Sequence, residues 1–371
     1  MIIGIPKEIK DREYRIAMTP GGVQALVAAG NRVLVQAGAG AGSGFADADY
    51  ARNGAEISGS AAEVWSAGLV VKVKEPQPVE FDFLRPDLIL FAFLHLAAEE
   101  LLTRELARRG LTAIGYETVE TDDGKLPLLK PMSEIAGRIS VQIGAHYLEK
   151  KNGGKGKLLG GVPGVPPARV TIVGGGIVGR NAAKIALGMG GDVTILDRDH
   201  DRLRHLEEIL PGRLRTLSSD PSRLAEAAAE ADLLIGAVLV KGARAPRVIT
   251  RAMISAMQAG SVAVDVSVDQ GGCMETTRPT THSDPVYIVD GVIHYAVTNM
   301  PGAVPHTGTH ALSNETLPYV AALADRGIDA IRGDAALARG VNTFGGEVAY
   351  RAVAEAFGMK HVPIRKLLQG V

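Results

Sequence analysis

The strongest constraint on this chain is the regular alternation of short apolar runs with helix-patterned stretches. "MIIGI" (1–5), "RVLVQA" (32–37), "LVVKVK" (69–74), "LILFAFL" (88–94) and "TAIGY" (112–116) read as strands. Between the first two, "TPGGVQALVAAG" reads as a helix, with Thr19 as N-cap, Pro20 at the first helical position and Gly30 as its stop. "AEELLTRELARRG" (98–110) is a second helix, and its closing arginines suit the negative end of the helix dipole. Strands separated by helices are joined by crossovers, so they run parallel in a doubly wound sheet with helices on both faces.

A second series starts near residue 169, after the Gly/Lys/Pro-rich stretch "KKNGGKGKLLGGVPGVPP" (150–167). Its strands are "RVTIVG", "DVTILD" (192–197), "RLRTLS" (213–218), "DLLIGAVLV" (232–240), "SVAVDVSVD" (261–269) and "IHYAVTN" (293–299). "SEIAGRISVQIGAHYLEK" (133–150) predicts a long helix capped by Ser133. Beyond Asn299 a Pro/Gly turn leads to "SNETLPYVAALADRG" (313–327), a helix with Ser313 as N-cap. No further sheet-like series follows, so the tail is expected to return and pack on the first domain. The expected architecture is α/β, with two Rossmann-like doubly wound domains, a cleft between them and the first domain discontinuous. Residues 1–128 and 307–371 form the first, discontinuous domain, and 129–306 the second.

Bulk properties exclude several classes. A chain of 371 residues suits two domains, and its 46% hydrophobic content supplies two cores. A formal charge of −1 gives no general attraction to nucleic acid or anionic lipid. Cys273 is the one cysteine, so no internal disulfide forms and a reducing, cytoplasmic setting is expected. The opening "MIIGIPKEIKDRE" turns charged after five residues, unlike a signal peptide. No apolar run approaches the roughly 20 residues that span a bilayer. No metal site is read from the sequence.

"VTIVGGGIVGR" sets Gly174, Gly176 and Gly179 at G-x-G-x-x-G spacing. A strand precedes it, a helix follows, and the next strand ends in an acid, Asp197, which together make a dinucleotide-binding unit. The first glycine permits a tight turn, the second lets backbone approach a pyrophosphate, and the third lets helix and strand pack closely. The helix N-terminus offers unpaired N–H groups to phosphate. Asp197 would accept from the ribose hydroxyls and repel a 2′-phosphate, favouring NAD over NADP. Arg198 beside it works in the opposite direction.

Ligands of wound sheets sit beyond the carboxyl ends of the strands. Arg15 follows the first strand, Lys74 closes "VVKVK" and His95 closes "LILFAFL"; Asp269 and Asn299 close two strands of the second series. Each has an ordinary alternative: a surface ion pair for Arg15, a solvated edge for Lys74, a buried core histidine for His95, a helix cap for Asp269 and a turn for Asn299. Together they describe a site. Arg15 offers a forked cation to a carboxylate, Lys74 polarises a carbonyl, His95 moves protons near neutral pH, and Asp269 balances the cations. With a hydride carrier, that set suits a dehydrogenase of 2-oxo or 2-amino acids.

"IGIPKEIKDREYRIAMTPGGV", "GAGAGSGFADADY", "VVKVKEP", "LILFAFLHLAAEELL", "KPMSEIAGRISVQIGAHYLEK", "LLGGVPGVPPARVTIVGGGIVG" and "NMPGAVPHTGTHALSNETLPYV" resemble the alanine dehydrogenase family over essentially the whole chain. The resemblance implies reversible NAD-dependent oxidative deamination of L-alanine to pyruvate and ammonia by a homohexamer. It assigns Arg15 and Lys74 to substrate, with Asn299 beside them, and His95 and Asp269 to catalysis. It places Ser133, Ile177, Val178, Asp197, Arg202, Ser219, Val238, Leu239, Val266 and Val297, Thr298, Asn299 and Met300 at cofactor-contacting positions. The chain departs from the family pattern at His306, usually Arg, at Gly308 and His310, which replace Ser and an aromatic, and at Phe93, often Tyr. The NAD(H)-binding subunit of proton-translocating transhydrogenase resembles the same fold and opening motif but lacks counterparts of Lys74 and His95. Lysine-forming saccharopine dehydrogenase shares the architecture with fewer of these motifs. A purely structural NAD-binding protein would leave the charges at the strand exits unexplained.

Overall fold

The computed structural model describes residues 1–238 and 244–370. It divides into two compact units, Met1–Met132 with Gly302–Val371, and Ser133–Pro301. Each is built around its own sheet.

In the first unit, β1 (Ile2–Ile5), β2 (Arg32–Gln36), β3 (Glu56–Ser58), β4 (Leu69–Val71), β5 (Ile89–Ala92) and β6 (Thr112–Gly115) lie in the order β3-β2-β1-β4-β5-β6, all parallel. The order reverses between β1 and β4, which makes their carboxyl ends the switch point of the sheet. β5 is buried along its whole length, as an unbroken apolar run demands of a central parallel strand. The helix Pro20–Ala28 starts as its sequence dictates: Thr19 accepts the Gly22 N–H, and Pro20 occupies the first turn. β4 is shorter than its apolar run because the Val73 and Lys74 amides turn to the Glu8 carboxylate, at 2.6 and 3.3 Å. β3 was not anticipated; with Ile57 its one aliphatic residue, it carries no readable alternation.

In the second unit, β7 (Arg169–Val173), β8 (Asp192–Asp197), β9 (Leu214–Ser218), β10 (Leu233–Gly236), β11 (Val262–Asp265), β12 (Val286–Val289) and β13 (Val292–Tyr295) lie in the order β12-β13-β11-β10-β7-β8-β9. All neighbours are parallel except β12 and β13. The switch point falls between β7 and β10. β12 is a correction to the expected series: it forms a hairpin with β13 through Asp290-Gly291, both at positive φ (51° and 80°), the geometry that two-residue hairpin turns require. β11 ends at Asp265, not at Asp269. The Asp265 carboxylate accepts the Ser267 and Cys273 amides at 3.0 and 2.9 Å, drawing the chain out of the ladder into a 3-10 turn, Val268–Gln270.

Two expected caps are also corrected. The long helix runs Lys130–Leu148, so Ser133 sits inside its first turns; Pro131 is tolerated near the start, where its missing N–H would have no partner anyway. The later helix runs Pro305–Arg326, with Pro305 in its first turn. Ser313 is therefore mid-helix and buried, where its hydroxyl accepts the Thr19 N–H at 3.1 Å. The tail also contributes strands that were not expected: β14 (Val341–Phe344) pairs antiparallel with β6, and β15 (Glu347–Val348) with β14. Val348, Val353 and Ala354 share one core with Trp65, Leu90 and Leu106. Among the described residues no helix is long and apolar enough to cross a membrane.

Candidate active site

The glycine loop of the second unit separates three distinct demands. Gly174, at the end of β7, has φ +103°, and a Cβ there would collide with the Ala237 carbonyl at the neighbouring strand end. A Cβ on Gly179 would strike the Gly174 carbonyl, so the helix Ile177–Gly188 packs onto the turn only through a bare backbone. Gly176 is different: nothing lies within 4 Å of where its Cβ would be. The space above it is open. Gly176 is also the N-cap and supplies no side-chain cap, so the first N–H groups of this helix have no capping side chain from it.

Asp197 ends β8 and is buried. Burial alone would raise its pKa, but the amides of Asp199 (2.9 Å) and Gly175 (2.7 Å) and the Arg202 guanidinium (3.0 Å) outweigh it and hold the carboxylate below its ordinary value. Ser219 stands beside it, its amide donating to the Asp197 carbonyl at 2.9 Å. Val266 donates to the Gly236 carbonyl beyond β10, and the Val238 carbonyl accepts from Ser267 at 2.7 Å. Ile177 is exposed and Val178 half-buried. Ser133 lies one turn before Gly137, where a Cβ would collide with the Val178 carbonyl, so the long helix presses that face onto the glycine loop. The Thr298 amide donates to the Thr280 carbonyl, while Val297 and Met300 are buried. Leu239 lies outside the described residues. These residues fit a dinucleotide: an open backbone cradle, helix N–H groups without a side-chain cap and an ionised acid at the next strand end.

Asp269 and Asn299 are joined directly. Asn299 is buried at φ +70°, and its N–H donates to the exposed Asp269 carboxylate at 3.2 Å. The carbonyl of Asn299 accepts from His282 Nε2 at 3.0 Å. Sequence reasoning missed His282, which lies in irregular chain without a strand or helix pattern to mark it. Its ring also lines a cavity of about 350 Å³ together with His146, Tyr147 and Tyr295.

In the first unit, Lys72 and Lys74 differ sharply. Lys72 is fully buried between the Glu8 and Glu80 carboxylates, at 3.2 and 2.9 Å. Burial pulls its pKa down, but the two carboxylates outweigh burial and leave it raised. Lys74 is only 5% exposed, yet among the described residues its ammonium has neither ion pair nor hydrogen bond. It lies beyond the carboxyl end of β4, at the switch point. His95 leaves β5, the neighbouring strand. It is half-buried at φ +49°, its N–H donates to the Glu117 carboxylate at 2.7 Å, and its ring stacks on Phe93. Neither ring nitrogen of His95 has a partner among the described residues, unlike a satisfied core histidine. Arg15 is not a surface ion pair, being 2% exposed. Its Nε and Nη2 donate to the Glu13 carboxylate at 2.7 and 2.5 Å and Nη1 meets Met132 Sδ, so one edge of the fork is already engaged. Glu8 and Glu117, which fix the turns carrying Lys74 and His95, were not singled out from sequence. Both follow a strand exit, and the filter that found Lys74 would have found them.

Comparison with known proteins adds independent findings. Sequence profiles described as alanine dehydrogenase/PNT, N-terminal domain and C-terminal domain match residues 4–136 and 140–351. The chain is 55% identical to an alanine dehydrogenase of Halomonas elongata, over 99% of this chain and 100% of that one. It is 54% identical to the alanine dehydrogenase of Bacillus subtilis, over 100% and 98%. A solved L-alanine dehydrogenase superposes with a TM-score of 0.93 at 53% identity, covering 96% of this chain and 99% of that one. A transhydrogenase from Sinorhizobium meliloti shares the fold, with a TM-score of 0.79 at 24% identity, over 95% and 100%.

Proposed function

Because the chain belongs to the alanine dehydrogenase/PNT family, we propose that it catalyses the reversible NAD-dependent oxidative deamination of L-alanine to pyruvate and ammonia. The observation that carries this reading is Lys74, a nearly enclosed ammonium with no ion pair or hydrogen bond among the described residues, two residues from a lysine that has two ion pairs. An unpaired buried charge costs stability and persists where a ligand completes it. A substrate carbonyl or carboxylate oxygen does so.

In this reading Arg15, oriented by Glu13, and Lys74 hold the substrate, with Asn299 as a further contact. Gly174, Gly176, Ile177, Val178 and Gly179 hold the pyrophosphate, and Asp197, Arg202 and Ser219 the adenosine ribose. Ser133, Val238, Leu239, Val266, Val297, Thr298 and Met300 complete the dinucleotide contacts. Residues 1–128 and 307–371 then serve as the substrate domain, and 129–306 as the NAD-binding domain. A nicotinamide held there would supply the hydride chemistry for the substrate's α-carbon. Oxidation of that carbon gives an iminium; His95 takes a proton from the water that attacks it, and the carbinolamine collapses to pyruvate and ammonia. In the reverse direction His95 protonates the departing hydroxyl. Asp269, whose carboxylate accepts the Asn299 amide, is the second catalytic residue of this reading. We further propose a cytoplasmic homohexamer.

Following NADH oxidation with pyruvate and ammonium tests the reaction. Pyruvate should be the preferred 2-oxo acid, and absence of turnover with any 2-oxo acid overturns the proposal. NADPH should be a poor substitute, and Asp197→Ala should weaken NADH binding and narrow that gap. Preference for NADPH in the unaltered enzyme would mean that Arg198 prevails over Asp197. A hydride-transfer module without an organic substrate would need neither Lys74 nor His95.

A further inference from the structure

The helix Pro305–Arg326 opens Pro-His-Thr-Gly-Thr-His, so His306 and His310 stand four residues apart on one helical face. The function proposed above uses neither. Both side chains are exposed, and among the described residues no ring nitrogen of either has a hydrogen bond or an ion pair. Their ring centroids are 4.9 Å apart. Phe45 stacks on His306 (5.9 Å, 23°) and meets His310 edge-on (5.4 Å, 71°), so one side chain restrains both rings.

We propose that His306 and His310 form a two-ligand chelate for a divalent transition metal ion of the Zn²⁺, Ni²⁺ or Cu²⁺ class. Imidazole nitrogens are the preferred protein ligands of that class. With a metal–nitrogen bond of about 2.1 Å, a metal in the ring plane lies roughly 3.2 Å from each centroid, and two such arms about 100° apart put the centroids about 5 Å from each other. The rings stand at that separation with Phe45 behind them, so little rotamer freedom remains to be lost on binding. Water completes the coordination sphere. The helix N-terminus is the positive end of a dipole and opposes a cation, but that screened effect is small beside two coordination bonds.

The test is calorimetric titration of NiCl₂ into the chelator-stripped full-length enzyme, with melting curves on the same samples. Saturable one-to-one binding and a higher melting temperature are expected, since the ion ties successive helical turns together. His306→Ala and His310→Ala should each lose at least tenfold in affinity and the thermal shift, while melting normally without metal. Phe45→Leu should bind a few-fold more weakly. Equal uptake by the His306→Ala/His310→Ala double variant, or no uptake by the unaltered enzyme, overturns the proposal.

Discussion

His95 holds a left-handed backbone conformation, φ +49°, which costs a non-glycine residue about 1–3 kcal/mol. The Glu117 carboxylate secures it by accepting the His95 and Leu94 amides, so backbone and ring serve separate ends. Replacing the ring should therefore leave the turn standing. His95→Asn, which tolerates this backbone, should cut turnover on the order of 10²-fold or more with NADH affinity and melting temperature nearly unchanged. Loss of stability and NADH binding with normal turnover per folded subunit would make the imidazole structural. The two lysines of β4's exit give an opposed pair. Lys72→Met strands Glu8 and Glu80 in the interior and should destabilise by about 3–5 kcal/mol. Lys74→Met removes an ammonium that, among the described residues, has no ion pair or hydrogen bond and acts only at longer range on the neighbouring Glu75 carboxylate, so it should change the melting temperature far less than Lys72→Met while pyruvate turnover collapses. Equal thermal losses in both variants would show that Lys74 has a partner in the fold.

At the scale of elements, Asp232 fastens the amino-terminal side of the second sheet. Its carboxylate accepts the Arg169 amide at 2.7 Å and pairs with Lys155 and Lys157. Burial would raise its pKa, but these partners outweigh it and the value is lowered from 3.8. The folded state thus holds this proton less tightly than the unfolded chain. The stabilisation is complete above the unfolded pKa and disappears as pH falls through the lowered folded one. Asp232→Asn should lower the melting temperature at pH 7, and the gap from the unaltered enzyme should close on acidification below about pH 4. A gap independent of pH would assign the effect to packing. Elements were legible where local chemistry decides them. Thr19-Pro20 starts a helix wherever it stands, and the glycine spacing, a preceding strand and Asp197 define one another. Asp290-Gly291 was equally local, and the hairpin could have been read from it. Ser313 was not: its sequence context suits a cap, and only Thr19, brought close by the fold, gives it a buried partner. β3 and β14 are strands by virtue of the edges they meet, which no periodicity records. In the site, strand exits marked Lys74 and His95; the engagement of Arg15 by Glu13, two residues away, is local but belongs to no helix or strand pattern, and that of Asn299 by His282 is tertiary.

At the scale of the molecule, the first unit is made from both ends of the described chain and the second from its middle. Ser313 against Thr19, β14 against β6, and Val348 and Val353 in the Trp65 core make the tail integral to the first unit. A chain stopped after Pro301 should therefore lose the cooperative melting of the first unit while its second unit still binds NADH. Circular dichroism and NADH fluorescence on that truncation separate the two, and an intact first transition would show the tail to be dispensable.

That interleaving also sets an order of events during synthesis. A ribosome adding roughly 5–20 residues per second needs on the order of tens of seconds to pass from the end of β6, Gly115, to the start of β14, Val341. For that interval the nascent first sheet has an open flank of unpaired N–H and C=O groups, the kind of edge that recruits other chains. The second unit, whose strands follow one another without interruption, is complete before that flank is covered. The part of the protein that begins first is the part that finishes last.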